Sequence, residues 1–361
     1  MPASRSKRLG AVQAANDLLA QGHIDQNQPI DVFGLCEDMG LWLVFKPLGN
    51  LLGAFLPQGS GGVLVTTRRP IPLQRYTAAH ELGHWALGHA HEVALDDEVC
   101  VFGQHPSERE QLAQLFAAHL LMPLPLAYGT LGRLGVSGGE LSPVQAYGFA
   151  RETGVSYEAA LRHLRAVDVI DRPTLLRLLR VHPIDIKTTL NRGRKPADPR
   201  AEIWPVDDRW DRHVLSVHLN DEVVLTLPEN RTAGYRWLRG TTESAQRDDR
   251  GNLDTNRQAH DSSAVEVVSE AYIPARTVRP RGLSLLGPGL VEEEIRIGGA
   301  GQRVVWLQAQ HPGEGKVQLR YAPHYSTEVG AAETFDLTAQ VEGPRLDASV
   351  VQLIGESPRP H

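Results

Sequence analysis

The chain has 361 residues, of which 41% are hydrophobic, so it is long enough to form two or three domains with hydrophobic cores. Its sequence contains no apolar run long enough to span a bilayer, and no membrane partner is expected. A net charge of -6 argues against a surface that coats nucleic acid regardless of base sequence.

The start of the chain and its cysteines predict a cytoplasmic protein. Residues 1–8 are basic, but residues 9–19 are amphipathic rather than continuously apolar, which is not typical of a signal peptide. The two cysteines, Cys36 and Cys100, are too few for a disulfide framework. They are predicted to be reduced thiols buried in the protein.

The first elements predict a mixed α+β architecture. Residues 12–19 have the spacing of an amphipathic helix, and a second helix is expected over residues 29–38, where Gly40 ends it. Residues 41–45 and 62–67 are rich in β-branched, apolar or aromatic side chains and are predicted to be strands.

The segment His80-Glu81-Leu82-Gly83-His84 is the most informative part of the chain, because it fits the pattern HExxH. Residues four apart lie one above the other on a helix, so the rings of His80 and His84 can bind a single cation. Glu81 falls beside them, where a carboxylate can take a proton from an attacking water. The flanking residues suit a buried helix, which disfavours the alternative of two ordinary surface histidines.

A hydrolytic zinc site needs a third protein ligand and one position open to water. His89 and His91 follow the motif closely. His89, however, is nine residues after His80 and would lie about half a turn out of phase on a continuous helix. The third histidine of the metzincin pattern would fall at position 90, which is alanine. A ligand from another segment is therefore expected.

Residues 107–118 predict a second helix that could supply this ligand. Ser107 has the position of an N-cap, and Glu110 is the third helical residue after it. Glu108 and Glu110 are two residues apart and point to different faces of the helix, so only one of them can reach the metal.

These two segments together resemble the ImmA/IrrE metallopeptidases. The resemblance rests on residues 75–84, on Glu110 and on the run Phe-Ala-Ala-His-Leu-Leu-Met-Pro at residues 116–123. The second signature of that family is roughly ExxANxFAxxLLMP, and its glutamate falls on Glu110. Gln114 stands where the family usually has asparagine, so one amide replaces another.

The resemblance implies a zincin-like metallopeptidase domain with one zinc ion per chain. It implies His80, His84 and Glu110 as the zinc ligands and Glu81 as the general base. The substrate would be a regulatory protein such as a transcriptional repressor. The strand at 62–67 would be the sheet edge that pairs with an extended substrate, or else an ordinary interior strand. Three residues stay open as donors to the developing oxyanion: Tyr76, His119 and Tyr128.

Residues 136–190 predict a helical extension of this domain. Within it, a helix capped by Ser156 runs through Arg165, and the preceding turn is similar to that of a helix-turn-helix. Arg162 and Arg165 are placed to contact phosphate. A single turn with two arginines is weak support for such a role, so direct DNA binding is not expected.

The remaining chain predicts a linker and a second domain. Residues 191–210 are polar, begin with a basic proline-containing stretch and lack apolar periodicity, which is typical of an interdomain linker. Residues 211–345 contain short β-rich runs between turn residues and predict an all-β, immunoglobulin-like sandwich. Residues 1–135 would be the metallopeptidase domain, and residues 346–361 a tail.

Two segments of the predicted sandwich resemble the loops of the chagasin-type cysteine-protease inhibitors. The first loop of that family is NPTTGY, and its matching residues here are Asn230, Thr232, Gly234 and Tyr235. The second loop, GxGG, is similar to residues 299–302, including Gly299 and Gly301. The third loop normally carries Arg-Pro-Trp, but here Tyr321 is followed by Ala-Pro-His-Tyr and the arginine is absent.

The second resemblance implies a protein-binding or regulatory domain whose loops form the contact surface. The alternative for Tyr235 and Trp237 is that one or both of them pack in the core of the sandwich. Two classes of function follow for the chain: a zinc endopeptidase with an appended protein-binding domain, or a non-catalytic protein with a vestigial metal site. The second class includes an inhibitor of cysteine proteases. The complete HExxH and glutamate set favours the first.

Overall fold

The structure, a computed structural model, divides into two compact units, one ending at Ile186 and one beginning at Lys187. The residues that it describes are 3–57, 59, 61–89, 95–97, 107–136, 140–239, 263–278, 293–295, 301–323 and 330–343. Cys100 and the predicted tail at 346–361 lie outside them. Among the described helices, none alone is long and apolar enough to cross a bilayer, although the bent pair Glu108–Leu121 and Leu124–Arg133 meets that test jointly.

The first unit combines helices with one sheet. Its elements are α1 (Arg5–Gln21), α2 (Val32–Asp38), β1 (Trp42–Lys46), β2 (Leu51–Leu56), β3 (Gly62–Thr66), α3 (Ile71–Ala86), β4 (Leu95–Asp97), α4 (Glu108–Leu121), α5 (Leu124–Arg133), α6 (Pro143–Thr153), α7 (Tyr157–Ala166) and α8 (Arg172–Leu178). The helix α1 begins earlier than predicted, because the Ser4 side chain caps it by accepting a hydrogen bond from the Lys7 amide. Cys36 is a buried free thiol in α2, as predicted.

The sheet of the first unit has the strand order β1-β3-β2-β4. β1 runs parallel to β3, whereas β2 is antiparallel to both β3 and β4. β3 therefore lies inside the sheet, and the prediction that residues 62–67 form its substrate-pairing edge is wrong. The cause is the β2–β3 hairpin, which folds β2 against one side of β3 while β1 takes the other.

The helix α3 is enclosed by the sheet and by α4. All residues from Thr77 to His84 are buried, which requires packing partners on several sides. α4 can approach closely because position 83 is glycine. A Cβ atom added at Gly83 would lie only 3.0 Å from Cδ1 of Phe116 and 3.3 Å from Cα of Ala113. The absence of this one side chain lets α4 pack closely against the HExxH segment.

The helical extension contains the predicted pair of helices, α6 and α7. Ser156 caps α7 by accepting a hydrogen bond from the amide of the third helical residue. The two arginines considered for phosphate contact pair with carboxylates in their own segment. Nη2 of Arg162 lies 2.6 Å from Oε1 of Glu158, and Nη1 of Arg165 lies 2.6 Å from Oδ1 of Asp168. These pairs do not favour a role in binding nucleic acid.

The segment predicted to be a linker is folded instead. Asn191 is buried, and its Nδ2 donates to Oε2 of Glu222 at 2.8 Å, while the amide of Ala197 donates to Oε1 of the same carboxylate at 2.7 Å. Residues 203–206 form a strand that pairs with β7. The second unit therefore begins at Lys187, upstream of the predicted boundary at 211.

The second unit consists mainly of strands. After α9 (Pro183–Leu190), its strands are β5 (Ile203–Val206), β6 (Val214–His218), β7 (Glu222–Glu229), β8 (Tyr235–Arg239), β9 (Val265–Pro274), β10 (Arg276–Val278), β11 (Glu293–Ile295), β12 (Gly301–Ala309), β13 (Gly313–Pro323) and β14 (Glu333–Glu342). Two four-stranded open sheets have the orders β5-β7-β12-β9 and β6-β14-β13-β8.

The two sheets share one hydrophobic core. Leu225 and Val305 contribute from the first sheet, and Leu319 and Phe335 contribute from the second. Trp237 also belongs to this core and is only 5% exposed. The prediction of a mixed zincin-like domain followed by an all-β domain is therefore confirmed, and the alternative that Trp237 packs in the core is correct.

Candidate metal centre and protein-binding loops

His80 and His84 lie one helical turn apart on α3 and point their Nε2 atoms toward the same space. These two atoms are 3.2 Å apart. The two rings are nearly perpendicular, with centroids 4.8 Å apart and an interplanar angle of 82°. Both side chains are buried.

Glu110 completes a cluster of three candidate ligands. Its Oε2 lies 3.0 Å from Nε2 of His80, and its Oε1 lies 3.5 Å from Nε2 of His84. The residue sits in the first turn of α4, where the Ser107 hydroxyl accepts a hydrogen bond from the Glu110 amide. Burial by itself would raise the pKa of Glu110, but hydrogen bonds with His80 and His84 lower it well below its ordinary value. The carboxylate is therefore ionised and able to bind a metal.

The geometry of this cluster fits zinc. Tetrahedral zinc with bonds of about 2.1 Å needs ligand atoms about 3.4 Å apart. The three separations of 3.0, 3.2 and 3.5 Å lie around that value. Two imidazoles and one carboxylate, with the fourth position left to water, form the donor set of a hydrolytic rather than a structural zinc site. Within the described residues, this is the group of histidines and acidic side chains that could hold a metal ion.

Glu81 lies on the sheet side of α3. It is fully buried, and a Cβ atom added at Gly53 of β2 would be 3.3 Å from its Oε1. The carboxylate is therefore close to the backbone of β2, and Glu81 directly follows the candidate ligand His80. This position suits a group that receives a proton beside the metal and is protected from bulk solvent.

Glu108 has a different environment from Glu110. Its side chain is 40% exposed, and its Oε2 lies 2.9 Å from Nζ of Lys7 in α1. The structure thus separates the two glutamates of the first turn of α4, one turned to the metal centre and the other to the surface.

We expect Glu110→Ala to weaken zinc binding by more than about 100-fold, which exceeds the effect typical of residues that only support a ligand. Glu108→Ala should leave zinc affinity within about twofold, because it removes only an exposed ion pair. Competition with a chromogenic chelator measures both affinities. If zinc binding responded to Glu108 and not to Glu110, the ligand assignment on α4 would be wrong.

The three candidate donors to the oxyanion lie on three different helices of the first unit. Tyr128 is exposed on α5. His119 is nine residues after Glu110, hence on the opposite side of α4, and its ring lies 5.0 Å from that of His163. The ring of Tyr76 stacks on His80 with centroids 6.4 Å apart. Burial raises the pKa of Tyr76, so its phenol keeps its proton and can donate.

The first chagasin-like loop is a short 3₁₀ turn between β7 and β8. Oδ1 of Asn230 accepts hydrogen bonds from the backbone amide and the hydroxyl of Thr232. Gly234 ends the turn in the left-handed conformation, with φ of 76°, and Tyr235 begins β8. The amide of Asn230 donates to the hydroxyl of Tyr321, 2.9 Å away on β13. The loop is thus fixed to both of its flanking strands and to the neighbouring strand of the second sheet.

The second chagasin-like loop ends beside the first. Gly301 is buried at the start of β12, where it pairs with Glu229, the last residue of β7. Gly299 lies outside the described residues. The pairing brings Gly301 and Asn230 to the same end of the sandwich, as expected of two loops that share a contact surface.

Glu229 supports this end of the sandwich and was not identified from the sequence. Its buried carboxylate accepts hydrogen bonds from Nε of Arg231 at 2.8 Å, from Nε of Arg303 at 3.0 Å and from the amide of Trp237 at 3.0 Å. Burial alone would raise its pKa, but the bonds from Arg231, Trp237 and Arg303 lower it. Arg231 also stacks on Tyr272, 3.9 Å from the ring centroid. The sequence did offer one signal for this cluster, because Glu229 and Arg231 are oppositely charged and lie two positions apart at the end of a strand.

Comparison with known proteins gives two family matches. Residues 36–165 match the IrrE N-terminal-like domain, and residues 216–339 match the chagasin family of peptidase inhibitors, I42. No curated protein matches the chain.

Several solved structures are similar to parts of the chain. A cysteine protease inhibitor from Entamoeba histolytica, EhICP2, is 13% identical with a TM-score of 0.28, covering 40% of this chain and 100% of its own. PbICP-C, solved in complex with falcipain-2, is 14% identical with a TM-score of 0.20, and the match covers 39% of this chain and 91% of PbICP-C. A Mycobacterium tuberculosis transcriptional regulator is 12% identical with a TM-score of 0.31, and the match covers 94% of this chain and 84% of the regulator. The two family matches confirm both predicted resemblances: residues 36–165 are similar to the IrrE N-terminal-like domain, and residues 216–339 are similar to the chagasin family of peptidase inhibitors.

Proposed function

We propose that the chain is a cytoplasmic zinc-dependent endopeptidase that hydrolyses a peptide bond in a regulatory protein. The observation that carries this proposal is the convergence of His80, His84 and Glu110 at zinc-compatible distances, with the buried Glu81 next to His80 on the same helix. The IrrE N-terminal-like match of residues 36–165 supports a metallopeptidase. A transcriptional repressor is the specific substrate that we propose from the ImmA/IrrE resemblance.

Each residue of the proposed site has a different chemical role. Zinc, when bound, supplies a Lewis acid that polarises the scissile carbonyl and activates water. His80, His84 and Glu110 would hold the ion. Glu81 takes the proton of the attacking water on a carboxylate oxygen and passes it to the leaving amine. Tyr76, which keeps its proton, is the candidate donor to the developing oxyanion.

Comparison of protein termini in cells tests this function. Cells that express the wild-type chain should contain new protein termini that are absent from cells expressing Glu81→Gln at the same level. The proteins that carry these termini are the substrates, and a repressor among them would support the specific proposal. Identical termini in the two cell lines, with zinc bound in both proteins, would instead favour a non-catalytic protein with a vestigial site.

The second unit supports a second candidate function, inhibition of papain-like cysteine proteases. The match of residues 216–339 to the chagasin family and the fixed conformation of the Asn230–Tyr235 loop favour it. Arg231, however, replaces the proline of the family's first loop. A loop of this kind would enter a protease cleft as backbone and aromatic groups that offer no cleavable bond.

A charged side chain at the tip of the Asn230–Tyr235 loop tests whether this loop inhibits papain-like proteases. If the chain inhibits papain, Ala233→Arg should weaken inhibition by about 10-fold or more, because Ala233 is exposed in the loop and a buried, unpaired charge is costly at an interface. Gln340→Arg makes a comparable change at an exposed site of β14 toward the other end of the sheet and should have no effect. Lack of papain inhibition by the wild-type chain would exclude this candidate for papain.

A further inference from the structure

We propose that His89 is a positioning residue of the metal centre, which accepts a hydrogen bond from Nδ1–H of His84 and so keeps Nε2 of His84 directed at the metal. The inference rests on the proposed function in one respect, that the cluster binds zinc. It assigns a role to a histidine that lies outside the HExxH pattern and is not a ligand.

The way in which α3 ends places His89 next to His84. Gly88 has the left-handed conformation, with φ of 70°, that a glycine adopts without strain. The Gly88 amide donates to the carbonyl of Trp85 at 3.1 Å, and the His89 amide donates to the carbonyl of His84 at 2.9 Å. This pair of bonds is a Schellman motif. It reverses the chain after the helix, so that the residue five positions after His84 returns to the same side.

The two rings then meet through their Nδ1 atoms. Nδ1 of His84 and Nδ1 of His89 are 3.1 Å apart, with ring centroids 5.2 Å apart. The opposite nitrogen of His84, Nε2, faces His80 and Glu110. A metal-binding Nε2 must present its lone pair, so the proton of the neutral His84 ring resides on Nδ1. Nδ1 of His89 is then the acceptor, and the proton of that ring resides on Nε2.

A residue in the first turn of α4 binds the backbone carbonyl of His89. Nη2 of Arg109 donates to the carbonyl oxygen of His89 at 3.0 Å. Arg109 directly precedes the ligand Glu110, so the same helical turn supplies one ligand and fixes the residue that orients another. Ligating histidines almost always donate their second ring N–H to a fixed acceptor, which sets the tautomer and the direction of the ring. His89 provides this acceptor for His84.

The geometry also accounts for why His89 is not the third ligand. Its Nδ1 is directed at the back of the His84 ring, whereas Glu110 contacts the Nε2 atoms of both ligating histidines. A continuous helix would have placed His89 out of phase with His80, and the Schellman turn places it behind His84 instead.

Zinc affinity of the full chain tests the proposal. Dissociation constants for zinc itself would be measured by chelator competition for the wild type, His89→Ala, His89→Asn and His182→Ala. His89→Ala should bind zinc about 10–100-fold more weakly, the usual effect of losing such a partner. His89→Asn should recover most of the affinity, because Oδ1 of asparagine takes the place of the imidazole Nδ1 as acceptor. His182→Ala, an exposed histidine of the same unit, should behave like the wild type.

A spectroscopic measurement separates positioning from a merely structural role. In the zinc-loaded wild type, long-range proton–nitrogen NMR should show His84 protonated at Nδ1, with that proton shifted downfield by its hydrogen bond. The shift should be lost in His89→Ala and restored in His89→Asn. Wild-type affinity in His89→Ala would overturn the proposal, as would retention of the downfield Nδ1 proton of His84 in this variant. Failure of the wild type itself to bind zinc would overturn the proposed function instead.

Discussion

Glu81→Gln should retain one zinc per chain while losing cleavage by roughly 1,000-fold, within the range expected for removal of a general acid–base group. Glutamine has nearly the same shape as glutamate, so the buried site can accept it without moving His80 or His84. It has no carboxylate to accept the proton of the attacking water. Zinc content by mass spectrometry and the rate of cleavage of an identified substrate protein measure the two effects separately.

The control for this variant is Glu37→Gln, which makes the same chemical change at an exposed position of α2. It should retain both zinc and activity. Proteolysis by Glu81→Gln at close to the wild-type rate would remove Glu81 from the mechanism. Loss of zinc together with activity would show that Glu81 supports the metal site rather than the proton transfer.

The candidate metal centre could be predicted from the sequence only where its geometry depends on a single helix. The spacing of His80 and His84 follows from the pitch of one helix, and no other segment is needed to bring the two rings together. The approach of Glu110 depends on helix packing at Gly83, which sequence spacing does not describe. The resemblance to a known family supplied what periodicity could not.

The strand order of the sheet in the first unit could not be predicted from the sequence. The composition of residues 62–67 correctly predicted a strand, but composition does not determine the neighbours of a strand. The order β1-β3-β2-β4 depends on the direction in which the β2–β3 hairpin folds onto β1. An interior strand and an edge strand with the same apolar composition are therefore indistinguishable before the fold is known.

The predicted linker was wrong for a related reason. Residues 191–210 have the polarity of a linker, but two of their polar groups bind a distant carboxylate, that of Glu222. Lys187, just upstream, is buried with its Nζ donating to the carbonyl of Ala201 at 2.7 Å. Polar residues satisfied by tertiary hydrogen bonds have the same composition as polar residues satisfied by water.

Glu229→Leu should destabilise the second unit by about 3–5 kcal/mol, the usual result of removing one partner of a buried charge pair. Leucine leaves the Trp237 amide without its acceptor and leaves the guanidinium of Arg303, only 13% exposed, without its closest counterion. The second carboxylate near Arg303, that of Glu270, lies farther away at 3.4 Å and also serves Arg239. Glu270 therefore cannot fully replace Glu229 as the counterion of Arg303.

Tryptophan fluorescence during heating is a suitable measurement for this variant. Four of the six tryptophans lie in the second unit: Trp204, Trp210, Trp237 and Trp306. For a domain of this size, the expected loss lowers the unfolding midpoint by about 10 °C. Glu314→Leu is the matched control, because Glu314 pairs with Lys316 on the surface, and this change should cost less than about 1 kcal/mol.

The effect of Glu229→Leu should depend on pH in a definite direction. The folded protein holds the pKa of Glu229 below its ordinary value of 4.5, so the ionised carboxylate stabilises the fold above that pH. As the pH falls below about 4.5 toward the lower folded pKa, this stabilisation is lost, and the wild type and the variant should become more alike. An equal loss of stability at pH 7 for Glu229→Leu and Glu314→Leu would show that the buried carboxylate contributes no more than an exposed one. In that case Glu229 would not be what fixes Arg231 and the Asn230–Tyr235 loop at this end of the sandwich.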